Sequence, residues 1–185
     1  MKTQIIVDDL IYRRVFTRQQ IMFRVSEIAA KINDDYACSN EELILLFVRN
    51  GGLYFGVDLS RALAALDCNP IIDTVGLRRY STDNQGGEVG LSDWPLADLS
   101  NRHVIVVEDL IDEGVSMNFL YKKLQESPQA PKSISFCALF MKDNHGPLDF
   151  SLDYLGWEIS SGWVIGNGMD SGQSKGRGLI DVYQA

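Results

Sequence analysis

The sequence predicts an α/β fold, a mostly parallel sheet flanked by helices, and three observations carry that expectation. Strand-like runs recur at residues 42–48, 71–77, 103–109 and 133–141, and within them 43–48 and 104–107 are continuously apolar, without the alternation of a half-exposed strand. Stretches with helical spacing lie between them. The order strand, loop, helix, strand repeats at lengths that suit right-handed crossovers, which place helices on both faces.

The elements follow in order. Thr17 and Gln20 have the spacing of a capping box, and Ile21, Val25, Ile28 and Ile32 then form one helical stripe ending near Asn33 and Asp34. Residues 42–48 read as a strand buried on both faces, broken by Gly51 and Gly52. Leu53, Val57, Leu63 and Leu66 suggest the buried stripe of a second helix. After the strand at 71–77, residues 78–93 are polar and contain Gly86 and Gly87, so they read as a long loop or exposed ribbon. The strand at 103–109 leads into a turn and a helix from about 116 to 126, which Pro128 and Pro131 end. The last core strand is 133–141. From 153 onward the tail reads as short strand pieces broken by Gly156, Gly162, Gly166, Gly168 and Gly172.

Composition narrows the class. A length of 185 residues suits one compact domain, and 45% hydrophobic with 23% charged residues is ordinary for a globular chain. The net charge of 17 − 25 = −8 argues against binding nucleic acid through its phosphates. Cys38, Cys68 and Cys137 are odd in number and widely spaced, and no CxxC occurs. The two histidines, His103 and His145, have no paired ligand, so neither a disulfide framework nor structural zinc is expected. The first nine residues are too short and acidic for a signal peptide, and no apolar run could span a membrane. The expected location is the cytoplasm.

Ligands of open parallel sheets sit beyond the carboxyl ends of the strands, so residues there carry the functional signal. Residues 104–107 are Val-Ile-Val-Val and run directly into Glu108, Asp109, Leu110, Ile111, Asp112, Glu113, Gly114, Val115 and Ser116. Two acids at a buried strand end are costly without partners. Gly114 and Ser116 then open a helix, which offers free backbone N–H groups and a hydroxyl to an anion. Two readings of these residues stay open: a surface turn with Asp112 as N-cap, or a site for a polyol beside a phosphate, such as ribose 5-phosphate.

The stretch resembles the phosphoribosyl pyrophosphate signature of type I phosphoribosyltransferases: apolar strand, two acids, two apolar residues, Asp, Thr or Glu, Gly, any residue, Thr or Ser. The resemblance extends from about Ile11 to Val182 and implies that family's fold. It implies a single domain over 1–185, with a core at about 35–150 and a small hood from about 1–20 and 151–185. It also implies an enzyme that transfers ribose 5-phosphate from phosphoribosyl pyrophosphate to N9 of a 6-oxopurine, hypoxanthine or guanine, with Mg2+ as cofactor. Homodimers or homotetramers are typical of the family. Asp112 would be the catalytic residue, hydrogen-bonding N7 and relaying the purine proton. Glu108 and Asp109 would hold the ribose hydroxyls. Glu113, Gly114, Val115 and Ser116 would anchor the 5-phosphate.

Further residues carry the resemblance to the hypoxanthine-guanine branch. Residues 48–52 (Val-Arg-Asn-Gly-Gly) resemble its pyrophosphate loop in the bacterial form, which implies a non-proline cis peptide there and contacts from Asn50, Gly51 and Gly52. Arg78, Arg79 and Tyr80, with the polar stretch that follows, are similar to a loop that closes over the reacting centre, Arg79 and Tyr80 touching substrate. Lys142 ends a core strand where relatives use a lysine on the purine 6-oxo group. Trp163 resembles the stacking aromatic and Val164 the residue whose main chain reads the base edge. Gly168, Met169 and Asp170 match a Gly-Met-Asp motif whose aspartate binds a second magnesium, so Glu108, Asp109 and Asp170 are the implied metal carboxylates. Arg177 would meet pyrophosphate. Residues 171–176 (Ser-Gly-Gln-Ser-Lys-Gly) depart from the family by lacking an aromatic, and Arg177 comes one position late, leaving Lys175 as the other choice. Two alternatives remain: a regulatory nucleotide sensor on the same fold, and the same chemistry on xanthine or a pyrimidine.

Overall fold

The computed structural model describes residues 2–36, 42–80 and 88–185, with the backbone alone at Tyr80. Cys38, Gly86 and Gly87 lie outside the described residues. The chain opens with a hairpin of β1 (Gln4–Val7) and β2 (Leu10–Phe16), followed by α1 (Arg18–Tyr36). The capping box is formed: Thr17 N–H donates to Gln20 Oε1 at 2.9 Å, and Gln20 N–H donates to Thr17 Oγ1 at 3.3 Å. Ile21, Val25, Ile28 and Ile32 are all buried, as the stripe predicts.

Next come β3 (Leu43–Arg49), α2 (Gly52–Ala64), β4 (Ile71–Tyr80) and β5 (Glu88–Asp93). Then follow β6 (His103–Ile111), α3 (Val115–Gln125), β7 (Ser133–Lys142) and β8 (Leu152–Ile159). The chain ends with β9 (Val164–Ile165) and β10 (Val182–Gln184). The main sheet has the order β5-β4-β3-β6-β7-β8, parallel throughout except where β5 runs against β4. A four-stranded antiparallel sheet, β1-β2-β10-β9, joins the two ends of the chain. On one face of the main sheet α1 and α2 cover Leu45, Phe47, Ile105 and Val107; on the other, α3 covers Ile44, Leu46, Val104 and Val106. That two-sided cover is why β3 and β6 are apolar at nearly every position.

Three sequence expectations change. The buried face of α2 is Phe55, Gly56, Asp58, Leu59 and Leu63, while Val57 and Leu66 are exposed. Two glycines turn the helix: a Cβ on Gly52 would lie 2.6 Å from the Val107 carbonyl oxygen, and one on Gly56 would lie 2.6 Å from the Phe47 ring. Asp58 is accepted inside because Arg18 meets it with both terminal nitrogens, at 2.5 and 2.7 Å. The polar region from 78 keeps one of its two readings, the ribbon, since Arg78 pairs with Gly90 and Arg79 with Val89. The first segment after 151, expected outside the core, is β8, an edge strand of the main sheet parallel to β7. Gly156 does not break it; the glycine lets β8 approach Leu139, whose carbonyl oxygen a Cβ would meet at 2.2 Å. Among the described residues no helix is long and apolar enough to cross a membrane.

Candidate active site

The carboxyl ends of β3, β6 and β7 open into two adjoining cavities. The first, of about 280 Å³, is lined by Asn50, Gly51, Asp109, Asp112, Lys142, Trp163, Val164, Asp170 and Arg177 among the sequence-predicted residues. The second, of about 130 Å³, is lined by Arg79, Glu108, Asp112, Glu113, Gly114 and Ser116. Leu110 and Asp112 belong to both walls, so one elongated ligand could run from one cavity to the other. Gly52 and Val115 line neither: Gly52 packs beneath the Val107 carbonyl, and Val115 is exposed at the start of α3. The side chain of Tyr80 lies outside the described residues.

The second cavity is the mouth of α3. Its N-cap is Gly114, left-handed at φ 81°, so no side chain caps the helix. The first backbone bond runs from Asn118 N–H to the Gly114 carbonyl at 2.9 Å, which leaves the amides of 115–117 without acceptors inside the helix. Among the described residues the Ser116 hydroxyl is also unpartnered. Together with the helix dipole, these donors suit a phosphate. The acid within this loop does not oppose that: the exposed Glu113 carboxylate pairs with Arg79 Nη1 at 3.2 Å.

Glu108 and Asp109 sit at the end of β6, and strand alternation sends them to different cavities. Burial, reinforced by the Asp109 charge, pushes the Glu108 carboxyl well above the usual carboxylate range. Burial also raises Asp109, against hydrogen bonds from Glu108 and the Leu110 amide. The Arg177 charge offsets burial only in part at both acids, a state that hydroxyl donors or a divalent cation would relieve further. The side-chain donors that Glu108, Asp109 and Asp170 offer are all oxygens, which suits a hard cation such as magnesium. The three carboxylates do not converge into one cluster, and no group of three metal-binding side chains occurs among the described residues. The set fits an ion that arrives with ligand oxygens of its own.

Asp109 is also the pivot of the packing. A Cβ on Gly51 would lie 2.2 Å from Asp109 Oδ2, and one on Gly168 would lie 2.3 Å from the Gly51 carbonyl oxygen. The two glycines thus let the loop after β3, the acid of β6 and the loop after β9 touch. The Arg49–Asn50 peptide in that first loop is cis. Arg177 enters the cavity by donating to the Gly168 carbonyl at 2.5 Å and to Asp170 Oδ2 at 2.8 Å. Lys175 instead pairs with Asp8, outside the cavity.

Across the cavity, Lys142 Nζ lies 3.0 Å from Asp112 Oδ1. Lys142 is only 8% exposed, so its charge is committed to this site rather than to solvent. Trp163 is 49% exposed, with its Nε1–H on the Asp170 carbonyl at 2.8 Å; it is not part of the core. Arg49, Leu110 and Met169, which the sequence does not mark as contacts, also line the first cavity. Their adjacency to Asn50, Asp109 and Asp170 was the available signal.

Comparison with known proteins points to one family. The model of the phosphoribosyl transferase domain family matches residues 12–171. A hypoxanthine-guanine-xanthine phosphoribosyltransferase of Tritrichomonas foetus is 32% identical over 165 residues, covering 89% of this chain and 86% of that protein. A hypoxanthine-guanine phosphoribosyltransferase of Mycobacterium avium is 30% identical over 160 residues, covering 84% of this chain and 77% of that one. The crystal structure of a hypoxanthine-guanine phosphoribosyltransferase from Bacillus anthracis superposes with a TM-score of 0.80 at 28% identity, covering 92% of this chain and 95% of that one.

Proposed function

This chain belongs to the phosphoribosyl transferase family, as a member of the hypoxanthine-guanine type, and from that membership we propose how its residues divide the work. The enzyme serves purine salvage: it moves the 5-phosphoribosyl group of phosphoribosyl pyrophosphate to N9 of hypoxanthine or guanine and releases pyrophosphate. The observation that carries the assignment of roles is the Lys142–Asp112 pair, 3.0 Å apart, in which Lys142 lines the first cavity and Asp112 lines both. A 6-oxopurine presents O6 and N7 side by side on one edge. Lys142 donates to O6, while Asp112 holds N7 and takes the proton that the base must lose as N9 attacks the anomeric carbon.

The amides of 115–117 and the Ser116 hydroxyl anchor the 5-phosphate, so the ribose is fixed at one end. Glu108 and Asp109 accept hydrogen bonds from its hydroxyls and set negative charge near the cationic transition state. Arg177, Asn50 and Gly51 face the departing pyrophosphate. Trp163 stacks on the purine, and the Val164 main chain reads its far edge. Asp170, with the Glu108–Asp109 pair through the ribose, would hold magnesium. Magnesium held there would supply charge neutralisation for the leaving group. Adenine would place an amino donor against the Lys142 ammonium, a mismatch worth a factor of about 10⁴ in sites built for one polar partner. The Tritrichomonas foetus relative, named for xanthine as well, supports a second reading in which xanthine is also accepted. The reading is of one catalytic domain that works in the cytoplasm as a homodimer or homotetramer, as in the family it belongs to.

Chromatography of product tests this. Purified enzyme with magnesium, phosphoribosyl pyrophosphate and hypoxanthine or guanine yields the corresponding monophosphate; adenine yields none, and xanthine separates the two readings. Absence of product with every purine would overturn the enzymatic role.

A further inference from the structure

Resting on the proposed role of Arg177, we infer that Asp8, in the turn of the N-terminal hairpin, is the positioning residue for the segment that carries Asp170 and Arg177. The hairpin turns on two residues, with Val7 paired to Leu10 and both Asp8 and Asp9 at positive φ, 49° and 62°. This is the tight geometry that Asp tolerates and that matches strand twist. It holds the Asp8 carboxylate against the segment 171–176. Ser171 Oγ–H donates to Asp8 Oδ2 at 2.6 Å, and Lys175 Nζ donates to Oδ1. Those two donors also hold the Asp8 carboxyl below its usual range.

The chemistry of the segment explains why such an anchor is needed. Residues 171–176 are Ser-Gly-Gln-Ser-Lys-Gly, with no apolar side chain to bury. Gly172, Ser174 and Gly176 all have positive φ, so little local preference fixes the path. The backbone bonds of the segment are local: Ser171 N–H donates to the Lys175 carbonyl at 3.0 Å, Leu179 N–H to the Gly176 carbonyl at 3.0 Å, and Gly172 N–H to Asp170 Oδ1 at 3.4 Å, so they close the loop upon its own neighbours. Among the described residues, Ser171 and Lys175 are the only side chains of 171–176 with a recorded polar partner, and both go to Asp8. Ser171 immediately follows Asp170, and Lys175 stands two residues before Arg177. Asp8 therefore clamps both roots of the pair that faces pyrophosphate, while Asp8 itself lines neither cavity. The residue that resemblance left as an alternative phosphate contact, Lys175, is in this arrangement a tether.

The test is a kinetic cycle on the full chain. Asp8→Ala and Lys175→Ala should each raise KM for phosphoribosyl pyrophosphate about tenfold and leave KM for the base within about twofold. The double variant should be no worse than either alone, because one clamp is lost in all three. Exchanging the charges, Asp8→Lys with Lys175→Asp, should bring KM back to within about threefold of the unaltered enzyme. Hydrogen exchange supplies a readout independent of turnover: Asp8→Ala should speed amide exchange at 170–177 and leave β6 and α3 unaffected. Unchanged KM and exchange in Asp8→Ala, or a charge exchange as impaired as the single variants, would overturn the inference with the enzymatic role intact. Turnover absent from the unaltered enzyme, with exchange still faster in Asp8→Ala, would sink the enzymatic role alone.

Discussion

Asp112→Asn should lower turnover by roughly 10²–10⁴, the range expected when a general base is removed from a proton transfer. The amide keeps the shape of the carboxylate and can still face Lys142, 3.0 Å away in the native site. It cannot accept the proton that the purine sheds. The half-exposed position of Asp112 means that this change leaves no buried cavity behind. Binding of the nucleoside monophosphate product should stay within about tenfold, because phosphate and ribose contacts come from other residues. Single-turnover kinetics and product titration together check the expectation. A turnover within threefold of the native enzyme would take Asp112 out of the proton path.

Gly51→Ala should be comparably damaging, by a different route. Its Cβ would stand 2.2 Å from one Asp109 oxygen and 2.6 Å from the other, well inside any real contact. Asp109 has no room to retreat. It is buried, and its Oδ1 accepts from the Leu110 amide at 2.8 Å, a bond that retreat would break. The loop after β3 must then shift by an ångström or so, carrying Asn50 away from the pyrophosphate position. Displacements of that size in a positioned site cost about 10²-fold or more. We expect kcat/KM to fall at least that far while circular dichroism and cooperative melting are retained. Gly178→Ala is the control, since nothing lies within 4 Å of the Cβ it would add; it should leave kcat/KM within twofold. Gly51→Ala activity within threefold of native would show that the contact between this loop and Asp109 is not needed.

How far the sequence disclosed this site depends on where each residue gets its constraint. The turn from Glu108 to Ser116 was legible because one short stretch must end a buried strand, place two acids and start a helix at once. The capping box was legible for the same reason: both partners lie three residues apart and need nothing else. Positions fixed by distant partners were harder. The rotation of α2 depends on Phe47 and Val107 meeting Gly56 and Gly52, so apolar periodicity alone selected Val57 and Leu66 instead. The eighth strand looked broken at Gly156 because only its neighbour Leu139 explains that glycine. Whether Arg177 or Lys175 faces the cavity could not be read from spacing, since Lys175 is drawn aside by Asp8, over 160 residues earlier in the chain. Resemblance supplied the roles of Lys142 and Trp163; their burial and exposure, 8% and 49%, are what separate them from an ordinary surface lysine and an ordinary core aromatic.

For these residues to play the proposed roles, a nucleotide must lie across Asp112 with its phosphate at the start of α3. A crystal structure of the enzyme soaked with guanosine monophosphate tests this most directly. It should show the phosphate within hydrogen-bonding distance of the 115–117 amides and Ser116 Oγ, O6 beside Lys142 Nζ, and the base lying over Trp163. Electron density for the nucleotide elsewhere, such as the apolar cleft between Tyr54, Val57 and Ile180, with the mouth of α3 holding only water, would contradict it.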